Sequence, residues 1–395
     1  MNKIAIIGGG SASLFFASFL DANIYEINIY EQKAVGLGRK FLVAGDGGFN
    51  LTHSEDINSF IERYTPSAFL RDALQFFNNQ RFMLWLHEIG IPTFIGTSKR
   101  VYPEKGIKPI KVLNAIHSVL EKNNTLVHFN KTFTGWNEDN DPIFNNNEVV
   151  TSDYCIFALG GASWKITGSN GSWLKHFKNK GIRTINFEAS NCAYQIDWKT
   201  SFIDLNEGKP LKNIAISCGS KTQKGEVIIT KYGIEGNAIY ALGPELRAQL
   251  KTKKVAEIIL DLKPMLTEEQ VLKKLVKPSK NISESLKTSV NLNPVQINLI
   301  KTNLDKTEFT DQKKLAFAIK NLTLKITGVA TLDEAISTVG GIDLTEVDAN
   351  FQLYKIPNHF CIGEMLDWDA PTGGYLLQAC ASMGAHLANH LNSKA

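Results

Sequence analysis

Three consecutive glycines, Gly8, Gly9 and Gly10, are followed by Ser11 and Ser13, and an isolated acid, Glu31, comes 23 residues after the first glycine. Glycines at such a turn let a backbone approach a pyrophosphate, and a carboxylate at that distance accepts the hydroxyls of a ribose. The elements that must position them are written around them. Ile4 to Ile7 is an apolar run suited to a buried parallel strand, Leu14 to Leu20 has a helical pattern, and Ile27-Asn28-Ile29-Tyr30 is a second strand ending on Glu31. Gly8 serves the tight turn, and Gly10 the close approach at the helix N-terminus. Ser13 stands where the pattern has a third glycine and is small enough to keep helix and strand together.

A second set of residues lies near the other end of the chain. An apolar strand ends in Gly363-Glu364, and Thr372-Gly373-Gly374-Tyr375 opens a helix. Glu364 suits hydrogen bonds to ribityl hydroxyls, and the helix opening aims N–H groups at N1 and the C2 oxygen of a flavin. Reduced flavin is negative there, so a helix N-terminus favours it. With the N-terminal turn, this two-part site addresses FAD. A second GxGxxG is absent: Gly168-Ser169-Asn170-Gly171, Gly233 to Gly236 and Gly340-Gly341 do not supply one. NAD(P)H, as electron donor, is therefore expected to visit transiently.

The chain has 395 residues, enough for two domains or three, with 43% hydrophobic and 21% charged residues. No apolar stretch reaches membrane-spanning length, and the N-terminus lacks the layout of a signal peptide. Cys155, Cys192, Cys218, Cys361 and Cys380 show no metal or CxxC spacing, which predicts buried, reduced thiols, a cytoplasmic setting and no metal site. The net charge of +4 hides an asymmetry: residues 199–325 carry 22 basic and 13 acidic side chains, a surplus of nine. Two readings stay open for it, an anionic partner or a solvated lysine-rich face.

After about residue 187 the texture changes to short β-like runs, Ile214 to Cys218, Glu226 to Thr230 and Ile258 to Leu262. They predict an antiparallel sheet or small barrel. Within it, Thr267-Glu268-Glu269-Gln270 is a capping-box pattern, and Asn293-Pro294 an N-cap with proline at the first helical position. Residues 57–98 read as helical. The expected fold is α/β: a Rossmann-like FAD domain in two parts, 1–187 and 330–395, interrupted by a barrel-and-helix insertion, 188–329.

The motifs Gly8 to Ser13, Gly38-Arg39-Lys40, Leu51-Thr52-His53-Ser54, Ala158-Leu159-Gly160-Gly161-Ala162-Ser163-Trp164, Gly363 to Trp368 and Ala370 to Tyr375 occur in that order. Together they resemble the bacterial BaiN/RdsA-like family of FAD-dependent oxidoreductases, over essentially the whole chain. The resemblance implies a glutathione-reductase-type FAD domain with an inserted β-barrel and a small helical domain. It also implies that Gly8, Gly10 and Ser11 hold the pyrophosphate and Glu31 the adenosine ribose. Arg39 and Lys40 match a basic pair along the cofactor, the Phe133 backbone meets adenine, and Gly160 and Gly161 form the crossing. Gly363, Glu364, Gly374 and Tyr375 match the flavin end. Many relatives have Arg-Cys-Asn after the glycine loop, where this chain reads Gly47-Gly48-Phe49-Asn50, so any chemistry of that cysteine is in doubt here.

The segment Gly225 to Gly236 resembles the family too, and the resemblance brings Thr230 and Tyr232 over the flavin. His53 and Tyr232 are the candidates for proton donor, since reducing a C=C bond needs hydride on one carbon and a proton on the other. The expected activity is reduction of a conjugated C=C or C=O bond by hydride from flavin N5. Relatives imply two substrates, steroid-like enones and a uracil ring within ribosomal RNA, and the basic insertion leans toward RNA. A flavin monooxygenase and a non-enzymatic flavin- or RNA-binding module are the competing readings. The sequence leaves the oligomeric state open.

Overall fold

The computed structural model describes residues 1–43, 49–276 and 281–394. Gly47 and Gly48 of the long glycine-rich loop, and Lys277 and Lys280 of the basic stretch, lie outside the described residues. The chain divides into two units, residues 1–189 with 332–395, and residues 190–331.

The first unit is built on five parallel strands: β1 (Asn2–Ile7), β2 (Tyr25–Tyr30), β3 (Leu126–His128), β4 (Tyr154–Phe157) and β5 (His359–Cys361). Their order is β5-β4-β1-β2-β3. Ile4, Ile6, Ile29, Ile156 and Phe157 are at most 1% exposed, as expected when a parallel sheet is covered on both faces. The order reverses direction at β1, next to β4, and ligands of open α/β sheets bind at the strands' carboxyl ends beside such a reversal. Four of the cofactor motifs read from the sequence follow a strand there: Gly8 after β1, Glu31 after β2, Gly160 after β4 and Gly363 after β5.

Three helices frame the sheet: α1 (Ser11–Phe19), α2 (Pro109–Lys122) and α3 (Tyr375–Asn392). On α2 the buried residues Val112, Ile116 and Leu120 recur every fourth position, one stripe of a 3.6-residue repeat. Helices α1 and α3 touch where Gly384 lies against Phe16; a Cβ there would stand 2.7 Å from the Phe16 nitrogen. The stretch expected to be helical over 57–98 is only partly so. It forms helices Ile57–Ile61, Arg71–Phe76 and Asn79–Glu88, and then a strand, Thr93–Ile95. Gly90, in the left-handed region at φ +81°, and Pro92 stop the helix, and the β-branched Thr93 and Ile95 extend the chain beyond it. That strand pairs with Arg100–Pro103, which also pairs with Thr52–His53.

The second unit carries a seven-stranded sheet with the order Leu322–Ile326, Ala256–Asp261, Pro210–Cys218, Lys221–Thr230, Gly233–Glu235, Tyr194–Gln195, Gly328–Val329. The two outermost strands are separated in sequence by Thr327 alone. One continuous strand therefore visits both edges, and the sheet closes into a barrel. The helices Glu268–Leu275, Pro294–Asn303 and Gln312–Lys320 pack on it through Val271, Leu299, Ile300, Leu315 and Ile319, in one core with Ile216, Ile258 and Leu260. Both caps expected from sequence form, Thr267 with Gln270 and Asn293 with Gln296.

Candidate functional site

The glycine turn after β1 is held from two sides. The Gly8 N–H donates to the Tyr30 carbonyl at 2.8 Å, and the Gly9 N–H donates to Glu31 Oε2 at 2.8 Å. Gly8 has φ +103°, and a Cβ on it would lie 2.5 Å from the Ala158 oxygen, so only glycine lets β1 and β4 come together there. Gly10 differs: a Cβ there meets nothing within 4 Å. Gly10 caps α1 without a side-chain hydrogen bond, and the first helical N–H bond runs from Leu14 to Gly10. An uncapped helix N-terminus facing open space is what a pyrophosphate requires. Ser13 is more than a small residue in the third glycine's place, because its hydroxyl donates to the Gly8 carbonyl.

Glu31 is buried, 8% exposed, with Oε2 accepting from Gly9 and Oε1 from the Lys33 N–H at 2.8 Å. A carboxylate accepts about four hydrogen bonds, which leaves capacity for ribose hydroxyls. Phe133 starts a two-stranded ribbon with Pro142–Phe144, and its ring packs on Trp136, Phe157 and Phe177. Its side chain is therefore taken up by the core. The ribbon follows Lys131, whose N–H donates to the Glu31 carbonyl at 2.9 Å.

Three segments far apart in sequence meet at Lys40. Its Nζ donates to Glu364 Oε2 at 2.8 Å and to Ser163 Oγ at 2.9 Å. Arg39, beside it at the start of the helix Arg39–Val43, is half-exposed. Gly160 and Gly161 lie before Ser163; Ser169 Oγ donates to the Gly161 carbonyl at 2.9 Å and the Ala162 N–H to Thr338 Oγ1 at 3.1 Å. Gly363, at φ +81°, sits against the first turn of α1, with Ala12 Cβ 2.8 Å from where a side chain would begin. The first turn of α1 and the strand end that carries Glu364 are thus packed side by side.

At the flavin end, α3 starts on Gly374 without a side-chain cap. Gly374 has φ +100°, and its Cβ position falls 2.5 Å from Thr52 Cα. Tyr375 turns its ring inward: it is 5% exposed, and its hydroxyl donates to Glu55 Oε1 at 2.5 Å. Burial, then the bond to Glu55, raises its pKa far above the usual phenol range. Its side chain is thus committed to Glu55. Arg63 closes on both Glu55 oxygens, from Nε at 3.1 Å and Nη2 at 2.8 Å. Burial pushes the Glu55 carboxyl upward, but Arg63, Tyr375 and His53 outweigh it and hold its pKa below the ordinary value. Thr52 Oγ1 donates to Gln378 Oε1 at 2.7 Å, and the Tyr64 hydroxyl to the Tyr375 carbonyl at 2.8 Å.

His53 stacks on Tyr375 with ring centres 5.4 Å apart, and its Nδ1 accepts the Glu55 N–H at 3.2 Å. Burial lowers its pKa, so the ring is neutral at pH 7 with its proton on Nε2. His53 thereby joins the Tyr375 ring to the Glu55 backbone. Tyr232 lies in the turn between two barrel strands and is 67% exposed, with Lys231 Nζ 5.5 Å from its ring centre. Glu55, Arg63, Thr52 and Gln378 were not singled out from sequence. Glu55 precedes the helix Ile57–Ile61 and Arg63 follows it, so their meeting depends on the turns at both helix ends and on no repeat within one element. Gly9 was legible within the glycine run.

All five cysteines are buried and unbridged, and no helix among the described residues is long and apolar enough to cross a membrane. The family model described as HI0933-like protein Rossmann domain matches residues 2–390. A 3-dehydro-bile acid delta(4,6)-reductase of Clostridium scindens is 24% identical over 412 residues, covering 96% of both chains. Solved structures that resemble the chain include a 3-ketosteroid delta1-dehydrogenase from Sterolibacterium denitrificans, 11% identical over 100% of both chains with a TM-score of 0.48. Another is a 3-ketosteroid-delta4-(5alpha)-dehydrogenase from Rhodococcus jostii, 12% identical over 98% of this chain and 96% of that one, with a TM-score of 0.49. The chain belongs to the HI0933-like Rossmann-domain family, the BaiN/RdsA-like group that its motifs resemble, and is an FAD-dependent oxidoreductase.

Proposed function

We propose that the protein reduces a C=C bond conjugated to a ketone in a small apolar molecule, with NAD(P)H as a transient donor. The observation that carries this reading is the reductase relative, aligned over 96% of both chains and named for a 3-dehydro-bile acid. When bound, FAD supplies the hydride for the acceptor carbon. The chain's own residues do the rest. Glu31 and the α1 N-terminus hold the adenosine and pyrophosphate, and Lys40 keeps the Glu364 carboxylate fixed for the ribityl chain. The turn at Gly374 presents backbone N–H groups where negative charge gathers. We assign His53 a holding part, and Tyr232, with its exposed hydroxyl, stays as the candidate proton donor.

The test is to load the protein with FAD, reduce it anaerobically with NADH or NADPH, and mix it with a 3-oxo-4-ene steroid. The flavin should reoxidise faster than in buffer, and mass spectrometry should find the product richer by two hydrogens. Reoxidation by oxygen alone, with oxygen inserted into the steroid, would instead identify a monooxygenase.

A second reading is favoured by the basic surplus of residues 199–325: reduction of a uracil ring in ribosomal RNA. Lys273 is paired with Glu269 at 2.7 Å on its own helix, a pair that the net surplus already counts. If RNA is the substrate, binding should be salt-sensitive, and neutralising Lys273, Lys274, Lys277 and Lys280 should weaken it and flatten its salt dependence. Salt-insensitive or absent RNA binding leaves the lysines as a solvated face.

A further inference from the structure

The three-stranded sheet of Thr52–His53, Arg100–Pro103 and Thr93–Ile95 has two unlike faces. Thr52 stands opposite Val101, and both are fully buried. His53 stands opposite Arg100, and Phe94 opposite Tyr102. Directly opposed residues share a face and alternate residues return to it, so His53, Arg100, Tyr102 and Phe94 line the other side. At the His53 end this face is covered, since His53 lies against Tyr375. At the other end it is open: Phe94 is 47% exposed, and its ring stacks on Tyr102 with centres 5.6 Å apart and planes at 26°.

Arg100 lies between the covered and open ends. Its Nε is 3.4 Å from where a Cβ on Gly373 would stand, one residue before the uncapped start of α3. The acid in this part of the site is unavailable to it, because both Glu55 oxygens are bound by Arg63. Among the described residues no carboxylate pairs with Arg100. A half-buried guanidinium beside a helix N-terminus, with no counter-ion, is a place where negative charge on a ligand is stabilised. The aromatic pair next to it offers flat apolar surface and no charge.

We infer that Arg100 binds the carbonyl oxygen of the substrate while Tyr102 and Phe94 cover its apolar rings. The assignment rests on the reading of the protein as an enone reductase. In that reaction the β carbon gains a C–H bond from the hydride, and the C=C electrons shift onto the carbonyl oxygen. The α carbon then takes a proton and the carbonyl re-forms. NAD(P)H supplies the electrons by way of FAD. The oxygen that becomes negative is the one a guanidinium holds best at that moment, so Arg100 serves both binding and rate.

The test uses the full chain loaded with FAD and oxidised, so that no turnover occurs, with 4-androstene-3,17-dione as probe and androstane as its ketone-free control. Binding is read from the perturbed flavin spectrum. Arg100→Gln should weaken dione binding about tenfold or more, the worth of one charge-assisted hydrogen bond. It should leave FAD content and androstane binding unchanged, and Arg100→Lys should restore part of the loss. Phe94→Ala should weaken dione and androstane by the same factor. Wild-type dione affinity in Arg100→Gln overturns the assignment, as does loss of FAD from that variant, which would make Arg100 a cofactor residue. Arg100-dependent binding of uridine without binding of the dione overturns it as to substrate. If the wild type reduces the enone and Arg100→Gln matches it in binding and rate, this assignment alone falls. If the wild type neither binds nor reduces any enone, the enone reading falls and takes the assignment with it.

Discussion

Single atoms separate the glycine that packs two strands together from the one we propose for the pyrophosphate. Gly8 has a carbonyl at 2.5 Å from its missing Cβ, whereas Gly10 has nothing within 4 Å. Gly10→Val should therefore fold normally and lose FAD, because its side chain collides with the pyrophosphate and with no protein atom. The check is a circular dichroism melt beside a flavin-to-protein absorbance ratio; full FAD occupancy would refute the placement. On the proposed placement, Glu364→Ala removes hydrogen bonds to the ribityl chain worth roughly 1.5–3 kcal/mol if charge-assisted. It also frees Lys40, which keeps Ser163 as a partner. FAD affinity should fall by about tenfold or more, measured by flavin fluorescence, and an unchanged value would mean that the carboxylate does not reach the cofactor.

Among the elements, β1, α1 and β2 were legible because strand, turn and helix each carry a local signature: an apolar run, a glycine run and a 3.6-residue pattern. The barrel strands Pro210–Cys218 and Ala256–Asp261 and the caps at Thr267 and Asn293 were legible for the same reason. What could not be read was the meeting of elements. Lys40, Ser163 and Glu364 are joined by hydrogen bonds across 123 and 324 residues, and no local pattern encodes such a distance. The strand Thr93–Ile95 was hidden by the helical texture before it, and with it the face that carries Arg100. The crossing of α1 and α3 gives a prediction at this scale. Gly→Ala inside a helix ordinarily gains about 1 kcal/mol. At Gly384 the added methyl meets the Phe16 backbone at 2.7 Å, and overpacking of that kind costs about 1–3 kcal/mol. The second effect wins, so Gly384→Ala should lower the melting temperature; a rise would show that the helices move apart freely.

Across the molecule, seven of the eight histidines, His53, His117, His128, His176, His359, His386 and His390, have pKa values lowered mainly by burial. The unfolded chain, with histidines near the ordinary value of about 6.5, binds more protons than the folded one just below that pH. Stability is therefore full above pH of about 6.5 and is lost as pH falls through the lowered folded values. Glu55 acts in the same direction further down, since its depressed pKa withdraws its contribution only below the usual carboxylate range. Melting temperatures should be level between about pH 7 and 8 and decline steadily below about 6.5. A melting temperature that rises on acidification would contradict the buried, neutral histidines.

The placing of β5 beside β4 sets a timetable for synthesis. The sheet's β4 ends at Phe157 and its neighbour β5 begins at His359, so about 200 residues must be translated in between, which takes roughly 10–40 s at ~5–20 residues per second. During that interval the backbone of Cys155, Ile156 and Phe157 is a sheet edge with no partner on one side, the kind of edge that recruits other chains. The barrel, one unbroken stretch of chain from 190 to 331, has all its strands available before β5 leaves the ribosome. Glu364, proposed above for the ribityl chain, emerges only after β5. A ribosome stalled in the barrel would display a nascent chain with an unsealed sheet and an incomplete cofactor cradle, a form suited to capture by chaperones or proteases.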